Sequence, residues 1–207
     1  MSKKIKFVNL HAHTGYSIGD GMGAPAKHFD YAISNDLDAH AITDHGNMSA
    51  MAQGHFAEQK LRKAGKNFKY IKGIEAYYIP SQSDWNQLKQ SIKDEAEEAQ
   101  TKIKDIEDDE TGTIVENESE TKSGFKDKKK QLRKRSHLIL LAKNNKGLEN
   151  LNRLTSKSYQ GDRFYFYPRM DSSLLRKHSE GLIATQACIG GLITKLDYGI
   201  MLMVLMG

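Results

Sequence analysis

Cysteine is almost absent from this chain. A single Cys188 among 207 residues excludes an intrachain disulfide and fits a reducing, cytoplasmic compartment. Long apolar runs are lacking too. The start, Met1-Ser2-Lys3-Lys4-Ile5-Lys6, is charged and has no apolar stretch of the kind a secretory signal needs. The apolar tail from Ile200 to Gly207 is far shorter than the ~20 residues of a membrane span, so no membrane partner is expected. No internal repeat is present. Aromatics make up 8% of the residues, and none falls inside the basic run Lys126–Arg135, so that run offers charge for phosphates but nothing for bases to stack on. A net charge of +5 and a pI near 9.1 are compatible with an anionic substrate without requiring one. The 38% of hydrophobic residues is enough for one sizeable core and short for two.

What is present is an alternation of short apolar runs with helical patterns. Ile5–Leu10 reads as a buried strand, Ala24–Asn35 as a helix, Ala39–Thr43 as a strand and Met48–Ala64 as a helix. A strand follows within Phe68–Ile79, another at Leu138–Ala142, a helix at Leu148–Tyr159 and a strand at Gly181–Ala187, with a last helix after Gly190-Gly191. This order predicts an α/β protein with a parallel sheet or barrel, whose chemistry sits at the C-terminal strand ends. Residues 81–136 break the pattern. Lys93–Glu120 holds twelve acidic and three basic residues, and Lys122–Arg135 eight basic and one acidic. The expectation is a solvated, flexible insertion whose halves partly neutralise each other, helical in its first half and disordered over Thr111–Gly124.

The chemistry gathers at strand ends. His11 and His13 stand two apart on an extended segment, so both imidazoles face one side and form a pincer for a transition metal. Asp20 follows in the next loop, where an ordinary Asp-Gly turn is the alternative. His45 comes after the second strand, beside Asp44, which can orient it or a neighbouring imidazole. Glu75 ends the third strand among apolar neighbours. Burying its carboxylate needs a metal or a base nearby, and the alternative is an edge position facing water. His137 opens Leu-Ile-Leu-Leu, and Cys188 follows the fifth strand, where a small buried hydrophobe is the ordinary role. Arg169, in Tyr165-Phe166-Tyr167-Pro168-Arg169, either binds a phosphate or pairs with a carboxylate. His28, His40, His55 and His178 lie in helix patterns or at a strand start and receive no ligand role. So many mixed nitrogen, oxygen and sulfur donors exceed one tetrahedral zinc and point to a cluster of about two or three ions, suited to attack on phosphorus.

Several segments resemble the polymerase and histidinol phosphatase (PHP) family. They are Phe7-Val8-Asn9-Leu10-His11-Ala12-His13-Thr14, Tyr16-Ser17 with Asp20-Gly21, Ile42-Thr43-Asp44-His45-Gly46-Asn47 and Gly73-Ile74-Glu75. Further on stand His137–Asn144, Pro168-Arg169, and Gly181–Ala184 through Cys188-Ile189-Gly190-Gly191. Within that family the wording is similar to the N-terminal PHP domain of bacterial DNA polymerase III alpha subunits, over about residues 5–80 and 136–197. The resemblance implies a distorted seven-stranded β/α barrel around a divalent metal cluster of zinc, manganese or iron. His11, His13, Asp20, His45, Glu75, His137 and Cys188 match the first seven ligands. It implies that Glu75 binds or bridges metal and that Arg169 meets a phosphate oxygen. The family's later Asp-x-His pair has no counterpart here, and residues 198–207 depart from the pattern. The chain is therefore expected to be a barrel incomplete at its C-terminus, with a second polypeptide as a candidate source of the missing strands.

Three functions follow as expectations. The first is a metal-dependent phosphoesterase or 3′–5′ exonuclease module of a replicative polymerase acting on DNA. The second is a non-catalytic scaffold that binds the polymerase core or another replisome subunit. The third is a stand-alone phosphatase for small monoesters, against which the polymerase-like wording speaks. No polymerase core fits in 207 residues.

Overall fold

The computed structural model describes residues 7–107, 118–187 and Gly191. The chain divides into two compact units, Met1–Ile79 with Ser136–Gly207, and Pro80–Arg135.

In the first unit, helix α1 (Pro25–Ser34) starts on a proline at its first turn, where the missing N–H costs nothing. It buries Phe29 and Ala32 on one face. Strand β1 (Ala39–Ile42) follows, then α2 (Met51–Lys63), whose last turn carries Lys60, Arg62 and Lys63 against the helix dipole. The long strand β2 (Lys69–Ile79) runs parallel to β1 through its first half and is buried from Gly73 onward. After the second unit come β3 (Ser136–Ala142), α5 (Asn145–Ser158), the two-residue β4 (Phe164–Tyr165), β5 (Tyr167–Asp171), the short α6 (Ser172–Lys177) and β6 (Leu182–Gln186). Asn144 caps α5 by accepting from Gly147 N, and Asp171 caps α6.

The sheet is mixed. Its order is β4-β5-β2-β3-β6, with β1 also on β2. β5 runs parallel to β2, but β3 is antiparallel to both β2 and β6. The strand–helix alternation pointed to a parallel sheet or barrel, and β3 is the strand that departs from it. The excursion of the second unit leaves after Ile79 and returns at Ser136, which pairs with Tyr78. A strand that re-enters beside the end of its neighbour must run back along it, as in a hairpin. His137 therefore starts β3 next to the far half of β2, opposite Tyr77.

Alternation along the strands sorts two faces. Ile74, Ala76 and Leu140 pack with Leu151 and Leu154 of α5, Met170 and Leu174. Ile139 and Leu141 face the other way, with Ala41, and by the same alternation so do Glu75 and His137. A third cluster joins Phe29, Ala32 and Ile42 to Ala50, Phe68 and Tyr70.

Two sequence expectations need correction. Ile5–Leu10 was to be a buried strand, but the described part makes one parallel bridge, Asn9 with His40, and Phe7 is 68% and Leu10 42% exposed. The segment is held by backbone bonds from Ala41 N to Asn9 O and Thr43 N to Ala12 O. Glu75 lies inside β2 and not at its end. The last expected helix, the tail 198–207 and Cys188 lie outside the described residues.

The second unit contains α3 (Gln82–Glu107) and α4 (Glu118–Leu132). Trp85, Ile92 and Leu132 are buried, and Trp85 Nε1 donates to Leu132 O at 3.0 Å. Lys128 of the basic helix pairs with Glu95 of the acidic one. Helix from Glu118 onward overturns the disorder expected up to Gly124, since Glu, Lys and Gln are good helix formers once a second helix shields an apolar stripe. Residues 108–117 lie outside the described residues. No helix among the described residues is long and apolar enough to cross a membrane.

Candidate metal centre

The centre is built around a carboxylate that water does not reach. Glu75 is fully buried on the inner face of β2. Its Oε2 lies 2.9 Å from His13 Nε2, 3.1 Å from His45 Nδ1 and 3.7 Å from His11 Nε2, and its Oε1 lies 2.8 Å from His137 Nδ1. Asp20, at the open side with its side chain 56% exposed, approaches His45 Nε2 at 2.9 Å and His13 Nε2 at 3.8 Å. The rings of His13 and His45 stack at 4.2 Å, and His11 meets His13 edge-on at 4.7 Å.

Two backbone features make this convergence possible. His45 sits where the chain continuing β1 still bridges β2 at Glu75, and Gly46 N donates to Glu75 O at 2.8 Å. Gly46 has φ +64, and a Cβ there would lie 2.9 Å from both Pro168 Cγ and Tyr77 Cε2, so the turn after His45 needs glycine. At Gly73, two residues before Glu75, a Cβ would lie 2.6 Å from Leu141 Cδ2 and 2.8 Å from Thr43 Cγ2. Its absence lets the β1 extension and β3 close on β2 at the centre.

A network of hydroxyls orients the imidazoles. Asp44 is buried and accepts from Thr14 N at 2.7 Å, Thr14 Oγ1 at 2.8 Å and Ser17 Oγ at 2.8 Å. Ser17 Oγ in turn accepts from His45 N at 3.0 Å and lies 3.0 Å from His13 Nδ1. The one Ser17 proton is committed to a carboxylate that can only accept, so His13 must donate from Nδ1. Neutral His13 then turns the Nε2 lone pair toward Glu75 Oε2. Two lone pairs at 2.9 Å require a cation between or beside them: a proton or a metal ion. His11 is anchored through Nδ1, 2.7 Å from Thr43 Oγ1, which also leaves Nε2 facing inward.

The electrostatics agree. Burial alone would raise the Glu75 carboxyl, but hydrogen bonds from His13 and His137 and the charges of His45 and His137 hold it well below the usual range. Burial works to lower His13, and the Glu75 hydrogen bond and charge outweigh it, with Asp20 and Asp44 adding, so His13 is raised. His11 is lowered, by burial first.

Ligand atoms within 4.8 Å of one another form three overlapping groups among the described residues: His11, His13 and Glu75; His13, Asp20 and His45; His45, Glu75 and His137. Imidazole nitrogens and carboxylate oxygens in this arrangement fit a divalent transition metal.

The PHP domain model matches residues 9–201, nearly the whole chain. The chain belongs to the PHP family. Relatives within it are the DNA polymerase III subunits alpha of Borreliella burgdorferi, 36% identical over 197 residues, and Treponema pallidum, 32% identical over 188 residues. These alignments cover 95% and 91% of this chain but only 13% and 12% of those subunits. Among solved structures, a protein assigned as a metal-dependent phosphoesterase from Bifidobacterium adolescentis aligns with a TM-score of 0.37 at 12% identity, over 76% of this chain and 34% of that one.

Of the expected PHP ligands, the structure brings His11, His13, Asp20, His45, Glu75 and His137 together, and Asp44 into contact with the residues that orient them. Glu75 is buried inside the sheet and does not face water at an edge. Arg169 pairs with Tyr77 across β5 and β2, is fully buried, and donates from Nη1 to Tyr165 O at 2.8 Å and Tyr167 O at 3.1 Å. Sequence reasoning missed Thr14, Ser17 and Thr43, whose hydroxyls set the imidazoles, and Tyr77, whose ring stacks on His45 at 5.9 Å and meets His137 edge-on at 5.3 Å. Their only signal was adjacency to the ligands, and serine and threonine next to a loop usually serve the turn itself.

Proposed function

We propose that this chain is an N-terminal PHP-domain segment of a DNA polymerase III alpha-like replicative protein, and that its centre hydrolyses phosphodiesters at DNA 3′ ends. The observation that carries this reading is the buried Glu75 carboxylate ringed by four inward-turned imidazoles, with Asp20 at the open side. A purely structural sheet has no use for that set, because burying it costs free energy that packing alone does not return. His11, His13, Asp20, His45, Glu75 and His137 would hold about two or three divalent ions of zinc, manganese or iron; Cys188, which lies outside the described residues, is a seventh candidate by resemblance alone. Bound there, such ions supply Lewis acidity and a water acidic enough to attack phosphorus at neutral pH. Glu75 fixes the spacing of the ligands, Asp44 and Ser17 hold the His13 tautomer, and Asp20 closes the solvent side. Arg169 is fully buried and spends Nη1 on the carbonyls of Tyr165 and Tyr167, so its role would be to fix that turn and not to meet the phosphate itself.

One observation favours a scaffold role instead. A proton on His13, whose value is raised, partners the Glu75 carboxylate at 2.9 Å, and a domain held in this way would serve to bind the polymerase core or another replisome subunit. Elemental analysis of the purified chain, beside cleavage of 3′-labelled single-stranded DNA, separates the two. Phosphodiesterase function requires about two metal ions per chain and cleavage that is both lost in His13→Ala. Metal well below one ion per chain, or cleavage indifferent to His13→Ala, removes the catalytic reading.

A further inference from the structure

The β4–β5 hairpin carries a feature that the metal centre does not use. Its turn is Phe166, a bulky residue held at φ +60 with its ring 65% exposed. Left-handed backbone at such a residue costs free energy and persists only where neighbours impose it. Arg169 imposes it here: its Nη1 donates to the carbonyls of Tyr165 and Tyr167, the residues on either side. A buried guanidinium thus holds an aromatic ring out into solvent.

Phe166 has company. Its ring meets Tyr165 edge-on at 4.8 Å, Phe164 is 45% exposed, and Phe164 stacks on the 47%-exposed Tyr159 at 5.5 Å. Gln160 and Arg163, the chain neighbours of Tyr159 and Phe164, line a surface pocket of about 380 Å³ together with Lys157, Ser173, Leu174 and Lys177. Lys157 and Lys177 make no ion pair among the described residues, while Arg163 is shared with Asp171 at 2.6 Å. Cations, an amide and a hydroxyl beside three exposed rings are the two halves of a single-strand binding site: charge for the backbone and flat faces for unpaired bases. An apolar protein partner would leave the lysines without counter-ions, and a duplex would offer no base faces to the rings.

We propose that the β4–β5 hairpin and the adjacent basic pocket bind single-stranded nucleic acid, with Phe166 and Phe164 stacking on bases and Lys157, Lys177 and Arg163 meeting phosphates. This binding stands apart from catalysis and needs no metal.

The test is fluorescence anisotropy of the full chain with a labelled oligothymidylate of about 12 nucleotides, in excess EDTA. Phe166→Ala weakens binding about 10-fold or more, Phe166→Tyr preserves it, and Lys157→Gln with Lys177→Gln weakens it and flattens the salt dependence. Phe166→Gly guards against misfolding as an explanation. Glycine accepts φ +60 without strain, so this variant unfolds at the parent's urea midpoint or above and still loses binding. A blunt duplex of the same sequence competes poorly. Unchanged affinity in Phe166→Gly, or equal competition by the duplex, overturns the proposal. Because EDTA is present throughout, either result leaves the reading of the metal centre untouched.

Discussion

Replacing Ser17 by alanine tests the tautomer argument most directly. Ser17 is 2% exposed and makes three contacts through one oxygen: it donates to Asp44 Oδ1 and accepts from His45 N and from His13 Nδ1. Removing it leaves the His45 N–H without that acceptor, worth about 1–3 kcal/mol when buried, and takes one charge-assisted bond from Asp44, worth about 1.5–3 kcal/mol. The losses overlap because they share one atom, so the metal-free variant should lose about 3 kcal/mol of stability by urea unfolding. The distinctive consequence is at the metal. Without the hydroxyl, His13 is no longer held as the Nδ1–H form, and part of the population carries its proton on Nε2, where the ion must bind. Removal of a group that orients a ligand in this way typically costs 10–100-fold in affinity. Zinc affinity measured by competition with a chromophoric chelator should fall by about that factor, and long-range nitrogen–carbon NMR correlations of the metal-free parent at high pH should report the Nδ1–H tautomer for His13. A variant that loses stability yet binds zinc as tightly as the parent would refute the reasoning, since Ser17 would then be holding the loop and not the ring.

Two further outcomes follow from the titrating groups. His13 has a raised value in the folded, metal-free protein, so its contribution to stability is complete below the unfolded value of 6.5 and is lost as pH rises through the folded one. Metal affinity moves the opposite way because ligands must be deprotonated, so the melting-temperature gap between metal-loaded and EDTA-stripped protein should widen from pH 6 to pH 8; a gap that narrows would contradict it. His40 lies on β1, buried against Phe29, and burial, with His28 nearby, pushes it down to about 4. The unfolded chain therefore takes up a proton between pH 6.5 and 4 that the folded chain refuses, and stability falls with pH across that window. The full shift is worth about 3 kcal/mol, trimmed by solvent screening to about 2. Urea midpoints of His40→Leu should lose that part of the acid slope, and an unchanged slope would show that other groups carry it.

The legible parts of the sequence were those governed by local pattern. The helices at Pro25–Ser34 and Asn145–Ser158 and the strands at Ala39–Ile42 and Leu182–Gln186 fall where apolar spacing and turn residues put them, the helices because each buries one stripe and β1 because it is a short apolar run buried throughout. Strand direction was not legible. Nothing in Ser136–Ala142 distinguishes a parallel from an antiparallel strand, since its alternation serves either, and the direction follows from where the Pro80–Arg135 unit releases the chain. The Phe7–Leu10 run misled for a related reason. Apolar composition was read as burial, whereas Phe7 and Leu10 stay exposed and the segment is held to β1 through its backbone.

Antiparallel β3 is also what completes the centre. In an all-parallel arrangement His137, near the start of its strand, would lie at the opposite end of the sheet from His45, which follows the end of β1. Reversing the strand brings that start to the far half of β2, where His137 Nδ1 reaches Glu75 Oε1 at 2.8 Å. The rule that chemistry gathers at C-terminal strand ends thus holds for His45 and is met by His137 through reversal. Glu75 satisfies it differently: it lies mid-strand, and the centre forms there because Gly73 lets both neighbouring segments approach. A Cβ at position 73 would lie 2.8 Å from the Leu140 carbonyl oxygen and from Thr43 Cγ2, so the β3 backbone and Thr43 would have to give way. His137 and His11 would move with them, because one is on β3 and the other is tied to the Thr43 hydroxyl. The geometry of the ligand set is therefore fixed by a residue that holds no metal and whose only contribution is the space it leaves.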